Sequence, residues 1–200
     1  MKKDLPVIVV NFKTYEHATG QKALQLAKLH QKVADQTGVH FMIAVQPLDL
    51  RLIREYVSLP VLAQHFDPIE FGAYTGHLSP HALMDAGAEG SLLNHAEKKL
   101  GIDVIEKSIG LARTLGFFTL LCADTPYAGR ALAEFDPDLI AIEPPELIGG
   151  DVSVTSANPQ VVIDAVKMIG NGKVLVGAGI KTKADVYRSL ELGASGVLLA

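Results

Sequence analysis

Eight short apolar runs punctuate the chain, at 7–10 (VIVV), 41–45 (FMIAV), 60–64 (PVLAQ), 90–93 (GSLL), 117–122 (FFTLLC), 139–142 (LIAI), 173–177 (KVLVG) and 196–199 (GVLL). Each is continuous rather than alternating, the pattern of strands covered on both faces in a parallel sheet. Between them, apolar positions shift to helical spacing. Segment 20–38 sets Ala23, Leu26, Ala27, Leu29 and Val33 near a 3.6-residue period and stops at Gly38, a residue suited to a helix end. Segments 79–87, 101–116 and 158–172 follow the same rule. Ser79-Pro80 and Asn158-Pro159 open two of them, and a glycine closes each.

Alternating strands and helices with right-handed crossovers leave two architectures, an open doubly wound sheet or a (β/α)8 barrel. Eight strands favour the barrel, a single α/β domain over residues 1–200. The sequence stops at Ala200, directly after the eighth strand, so the final helix of such a barrel is not represented in it. Without that helix, apolar faces of the first and seventh helices are expected to lie uncovered.

The totals narrow the function. A chain of 200 residues, 48% hydrophobic and 20% charged, can bury a sizeable core and has the make-up of a globular protein. Its net charge of −4, with no basic stripe, speaks against a nucleic-acid binder. No run approaches the roughly 20 apolar residues that span a bilayer, and Asn11 and Lys13 cut the N-terminal apolar run short of a signal sequence. The one cysteine, Cys122, lies in an apolar run and is expected to be a buried, inert thiol in a reducing, cytoplasmic compartment.

Chemistry in such barrels sits where the strands end, because the following loops build the site there. The polar residues at those ends are Asn11 and Lys13, Gln46, Gln64 and His65, then Asn94, His95 and Glu97, then Asp124 and Glu143. The glycine loop Gly177-Ala178-Gly179 follows the seventh strand. An ammonium, an imidazole, carboxylates and a glycine loop on one rim are equipment for acid–base work on a small anionic substrate. His77 and His81 are four apart but straddle a helix start with no acidic ligands clustered nearby, so no metal site is expected.

The stretches NFKTY (11–15), AQHFDP (63–68), GAYTGH (72–77), LLNHAEKKL (92–100), AIEPPELIGG (141–150), VGAGI (176–180) and LGASGVLLA (192–200) carry a resemblance to the triosephosphate isomerases, of the shorter archaeal kind. It runs from the first strand to the eighth. It implies a TIM barrel that interconverts dihydroxyacetone phosphate and D-glyceraldehyde 3-phosphate in glycolysis and gluconeogenesis, with no cofactor and no metal. Glu143 is then the base, His95 the electrophile as a neutral imidazole, and Lys13 the oxyanion stabiliser, with Asn11 beside it and Glu97 as a supporting acid. Backbone N–H groups of Ile148, Gly149, Gly177 and Gly179, with the loop opening at Ala200, are expected to take the phosphate.

In the same light, 143–150 is a lid. Pro144 presses Glu143 into an extended conformation, Pro144-Pro145 makes a stiff hinge, and Gly149-Gly150 a permissive one. The GAYTGH loop, with Thr75 near its tip, is expected to reach into a second copy and give a homodimer or homotetramer. The chain departs from the family pattern at Ala96, where a serine is common, and at Asp151, where a second lid glycine is usual. An acid at 151 repels a phosphate dianion unless its side chain points to solvent. Two other readings fit the last two glycine loops or these departures: a phosphate-binding synthase of the thiamine or prenylglycerol phosphate type, and a weakly active paralogue that binds a phosphorylated metabolite.

Overall fold

A computed structural model describes residues 5–150 and 153–200. Its strands are β1 (Val7–Asn11), β2 (His40–Val45), β3 (Val61–Ala63), β4 (Gly90–Leu93), β5 (Phe118–Ala123), β6 (Leu139–Ile142), β7 (Val174–Val176) and β8 (Gly196–Leu199). They form a closed parallel barrel in chain order, and β1 pairs with both β2 and β8, Val7 lying opposite His40 and Gly196. The expected (β/α)8 barrel is the fold observed.

Closure explains why the strands are apolar throughout. Val7, Val9, Met42, Ala44, Leu62, Leu92, Leu120, Leu139, Leu175 and Leu198 fill the lumen, while Val10, Ile43, Val45, Val61, Leu93, Leu121, Ile140 and Val176 point outward under the helices. Both faces are dry, and each large side chain so buried contributes about 2 kcal/mol. Cys122 belongs to the lumen layer and is buried, as its surroundings in the sequence implied.

The helices around the barrel are α1 (Gln21–Thr37), α2 (Leu50–Arg54), α3 (Pro80–Asp85), α4 (Ile102–Leu115), α5 (Pro126–Leu132), α6 (Val154–Ala157), α7 (Pro159–Ile169) and α8 (Lys183–Glu191). Gly38 and Gly116 close α1 and α4 in the left-handed conformation, at φ 71° and 65°. Ser79 stands at the start of α3, but its hydroxyl makes no capping bond.

The buried face of α1 differs from the periodic expectation. Ala23, Leu24 and Ala27 face the barrel, whereas Leu29 and Val33 are 59% and 43% exposed. The alanines let the helix sit close to the strands, and that contact sets the rotation. Near the end of α1 an apolar groove of about 520 Å³ runs to α8, lined by Val7, Ile8, Val39, Val186, Tyr187 and Leu190.

Candidate active site

The strand ends place the polar residues around one pocket of about 80 Å³, lined among others by Asn11, Lys13, His95, Glu143, Gly149 and Gly179. Ile148 and Ala200 line it too, so eight of the nine residues expected to act on or bind a substrate meet there. The ninth, Gly177, does not.

The wall from β1, β3 and β4 is held by hydrogen bonds. Asn11 Oδ1 accepts from the Lys13 backbone N–H at 3.0 Å and from Gln64 Nε2 at 3.2 Å. The same Gln64 amide donates to the Lys13 carbonyl at 2.9 Å. These bonds hold Lys13 at φ 49°, a conformation that costs a side-chain-bearing residue free energy. Lys13 Nζ then meets Glu97 Oε1 at 2.8 Å. Gln64 stood in the sequence as one more polar strand end. Its position as the tie between Asn11 and Lys13 rests on the register across β2, which a linear reading does not contain.

His95 is buried, and its protonation state follows from its neighbours. The Glu97 backbone N–H donates to Nδ1 at 3.2 Å, which makes that nitrogen the acceptor and puts the proton of the neutral ring on Nε2. Burial lowers the His95 pKa, and Lys13 and Lys99 push the same way against Glu97. The ring is therefore a neutral donor whose Nε2–H faces the pocket. Asn94, before it, adopts φ 57° and is secured at both ends of its amide, donating to the Cys122 carbonyl and accepting from Leu100 N–H, each at 2.9 Å.

Glu143 faces His95 from the other wall, with Oε2 3.7 Å from Nε2. Its carboxyl is buried, and Oε2 has no hydrogen-bond partner among the described residues. Desolvation raises its pKa to about 7, against the opposing influence of the Cys122 thiol and of Lys13. A carboxylate of that kind exchanges its proton near neutrality.

Gly177 serves this carboxyl in a way the sequence did not show. Its N–H donates to the Ile142 carbonyl at 2.9 Å, so that group belongs to the β6–β7 ladder and not to the pocket. A Cβ there would lie 2.5 Å from Glu143 Oε1 and 2.7 Å from its Cγ. The glycine gives the base room. The Ile148 N–H likewise donates to Pro145 O at 3.2 Å, closing the short turn Pro145–Leu147 of the lid segment. Gly149, at φ 72°, Ala178, at φ 72°, and Gly179, at φ 68°, lie in left-handed conformations around the pocket. The Ala178 carbonyl accepts from Val154 N–H at 3.2 Å, tying the loop after β7 to α6.

Asp151 lies outside the described residues. Ala96 follows His95 on the rim and carries no hydroxyl. His77 and His81 find separate partners, Tyr74 edge-on and Glu70 at 2.9 Å. A second cavity of about 320 Å³ shares Asn11, Lys13 and His95 and adds Gln46, Gln64 and His65.

The family model described as triosephosphate isomerase matches residues 6–200. The triosephosphate isomerase of Methanocaldococcus jannaschii is 45% identical over 198 residues, 97% of this chain and 90% of the relative. That of Methanothermus fervidus is 43% identical over 201 residues, 98% of this chain and 90% of the relative. Among solved structures, triosephosphate isomerase from Bartonella henselae superposes with a TM-score of 0.74, covering 97% of this chain and 91% of that one. Its 17% identity speaks to the fold alone. On its sequence and its barrel, this chain belongs to the triosephosphate isomerase family and is an isomerase.

Proposed function

We propose that the chain interconverts dihydroxyacetone phosphate and D-glyceraldehyde 3-phosphate through an enediolate. The observation that carries this is the facing pair: a buried carboxyl with a pKa of about 7, one oxygen of which has no hydrogen-bond partner among the described residues, 3.7 Å from a histidine nitrogen that carries a proton. Glu143 removes a proton from the carbon beside the carbonyl. A base near neutrality is ionised often enough to take that proton and basic enough to hold it. Charge then collects on the carbonyl oxygen, where His95 Nε2–H and the Lys13 ammonium stabilise it. The former carbonyl oxygen takes a proton from His95 Nε2–H, the neighbouring hydroxyl gives its proton back to the imidazole, and Glu143 returns the first proton to the former carbonyl carbon, which completes the exchange. All of these are proton transfers that side chains carry themselves, with no cofactor or metal.

The phosphate is assigned to the rim formed by Ile148, Gly149, Gly179 and Ala200, and the hinges at Pro144-Pro145 and Gly149-Gly150 let the lid close over it. Closure excludes water and strengthens the electrostatics inside. We place the reaction in glycolysis and gluconeogenesis, in the cytoplasm. No helix among the described residues is long and apolar enough to cross a membrane.

The test is a coupled assay of the purified protein on glyceraldehyde 3-phosphate, following dihydroxyacetone phosphate. Turnover supports the isomerase. Its absence from a folded protein that still binds phosphate supports the paralogue reading instead. For self-association, the 72–77 loop carries Thr75 and a part-exposed Tyr74, with Phe71 just before it 81% exposed. We propose that this loop packs against a second copy. Sedimentation showing only monomer at micromolar concentration would overturn that.

A further inference from the structure

His65 follows Gln64 at the end of β3 and takes no part in the isomerisation. It is buried, and its Nε2 lies 3.2 Å from Oδ1 of Asp67, the residue at the root of the loop proposed to meet a second copy. We infer that His65 and Asp67 form a clamp that holds the 68–77 loop in the shape it offers to that copy, with His65 as the positioning residue; this rests on the proposed self-association.

The need for a clamp follows from burial. Every residue from 70 to 77 is exposed, the rings of Phe71 and Tyr74 among them. A loop that buries so little gains little apolar free energy against the entropy of ordering it. Its shape therefore depends on polar ties, and those that join its two ends sit at its neck. The Asp67 N–H donates to the Leu78 carbonyl at 2.9 Å, and the Leu78 N–H donates back to Asp67 Oδ2 at 2.7 Å. Beyond the neck the bonds are short-range: Tyr74 N–H to the Gly72 carbonyl and His77 N–H to the Tyr74 carbonyl, each at 3.1 Å. Such bonds shape the tip but do not fix how the loop stands on the barrel.

His65 supplies that direction. One oxygen of the Asp67 carboxylate takes the Leu78 N–H and the other takes the imidazole, so the ring aims the group that closes the neck. Burial lowers the His65 pKa, and Lys98 pushes the same way against the bond to Asp67. The ring is therefore neutral, and because a carboxylate only accepts, Nε2 carries the proton. Burial acts to raise the Asp67 pKa, but the Leu78 N–H and the His65 bond outweigh it and hold the carboxyl below its ordinary value. A neutral N–H on a carboxylate makes a stronger bond than one between two uncharged groups. The preceding residue, Gln64, ties Asn11 to Lys13. The strand end that aims the lysine of the site thus also aims the assembly loop.

The experiment uses His65→Leu, which removes the donor, His65→Gln, which returns an N–H, and Asp67→Ala, which removes the acceptor at a part-exposed position and so gives a reading even if leucine disturbs folding. Hydrogen exchange of the bonded loop amides of Ile69, Tyr74 and His77 is followed in dilute protein, and association by sedimentation over a dilution series. In His65→Leu and Asp67→Ala those amides are expected to exchange about ten- to a hundred-fold faster, the scale of one hydrogen bond to a charged group, with the strand amides unchanged. The dissociation constant should rise by about ten-fold, because fewer copies hold the loop ready. His65→Gln should recover both. Unchanged loop exchange in both disruptive variants would overturn the inference, as would an equal acceleration through the whole barrel, the mark of a merely weakened fold. If the wild type sediments as a monomer at every concentration, the self-association reading fails and the loop's purpose with it, while the exchange rates still decide whether the clamp holds the loop.

Discussion

The two walls of the pocket are held by different forces. On the β1–β3–β4 side, Asn11, Lys13, Gln64, Asn94 and His95 are bound into one another or into nearby backbone by specific hydrogen bonds. On the β6–β7 side, Glu143 lies against a glycine and a thiol, and one of its oxygens has no hydrogen-bond partner among the described residues. The difference follows from the work each wall does. A donor that stabilises developing charge must be aimed in advance, and bonds do the aiming. A base must find its two protonation states close in free energy, and a dry, sparsely bonded site brings them together.

The largest effect should come from breaking the sparse wall. Glu143→Gln is expected to slow turnover by ~10²–10⁴, with the fold intact; wild-type rates in that variant would remove Glu143 from the base role. In the wild type, kcat/KM should fall by about ten-fold per pH unit below about 7, as the carboxyl gains its proton. The same group carries a stability cost with the opposite consequence. Its folded-state pKa of about 7 lies above the reference of 4.5, so the folded chain holds the proton more tightly than the unfolded one. Stability is then lost as pH rises from 4.5 through about 7, by about 3 kcal/mol on the high-pH side. Glu143→Gln should therefore melt above wild type at pH 8, and the gap should close as the pH falls. A gap independent of pH would show that burial does not tune this carboxyl.

The bonded wall should break next. His95→Gln removes the aimed donor and is expected to cost ~10²–10³ in kcat, the scale of one lost oxyanion donor. The loss should persist across the pH range in which wild-type His95 is neutral. An unchanged rate would exclude the imidazole from that role.

The barrel itself was legible from eight continuous apolar runs, because closure covers both faces of each strand and erases alternation. The short helices α2, α5 and α6 were not, since four to seven residues are too few to show a period. The rotation of α1 also escaped. Leu24 and Leu29 both fit helical spacing, and only the close approach of Ala23 and Ala27 to the strands decides between them. In the site, Lys13, His95 and Glu143 could be read as charges at strand ends. What Gln64 and Gly177 do could not, because each acts on an atom reached only through strand register.

Gly177 shapes the sparsely bonded wall, at a smaller scale than Glu143 itself. Gly177→Ala would put a methyl group 2.5 Å from Glu143 Oε1 and force the carboxyl to shift. A displaced base should reduce kcat/KM by roughly 10–10²-fold, the cost of a misplacement near 1 Å. Stability should change little, since that carboxyl has few bonds to lose. A variant with full activity would mean the base reaches its substrate from more than one position.

The smallest effect is expected from Ala178, next along the same loop. It adopts φ 72°, where a Cβ crowds the backbone at about 1–2 kcal/mol. Replacing it with glycine relieves that strain, but a glycine loses about 0.5–1 kcal/mol more in ordering on folding. The balance leaves Ala178→Gly more stable by about 0.5–1 kcal/mol. The alanine also restrains a loop whose carbonyl holds α6 through Val154, so the added freedom should appear as weaker phosphate binding in the more stable variant. Thermal melts and phosphate titration of the same preparation check both signs. A variant that gained stability and bound phosphate as tightly as wild type would show that the strained alanine has no part in holding the rim.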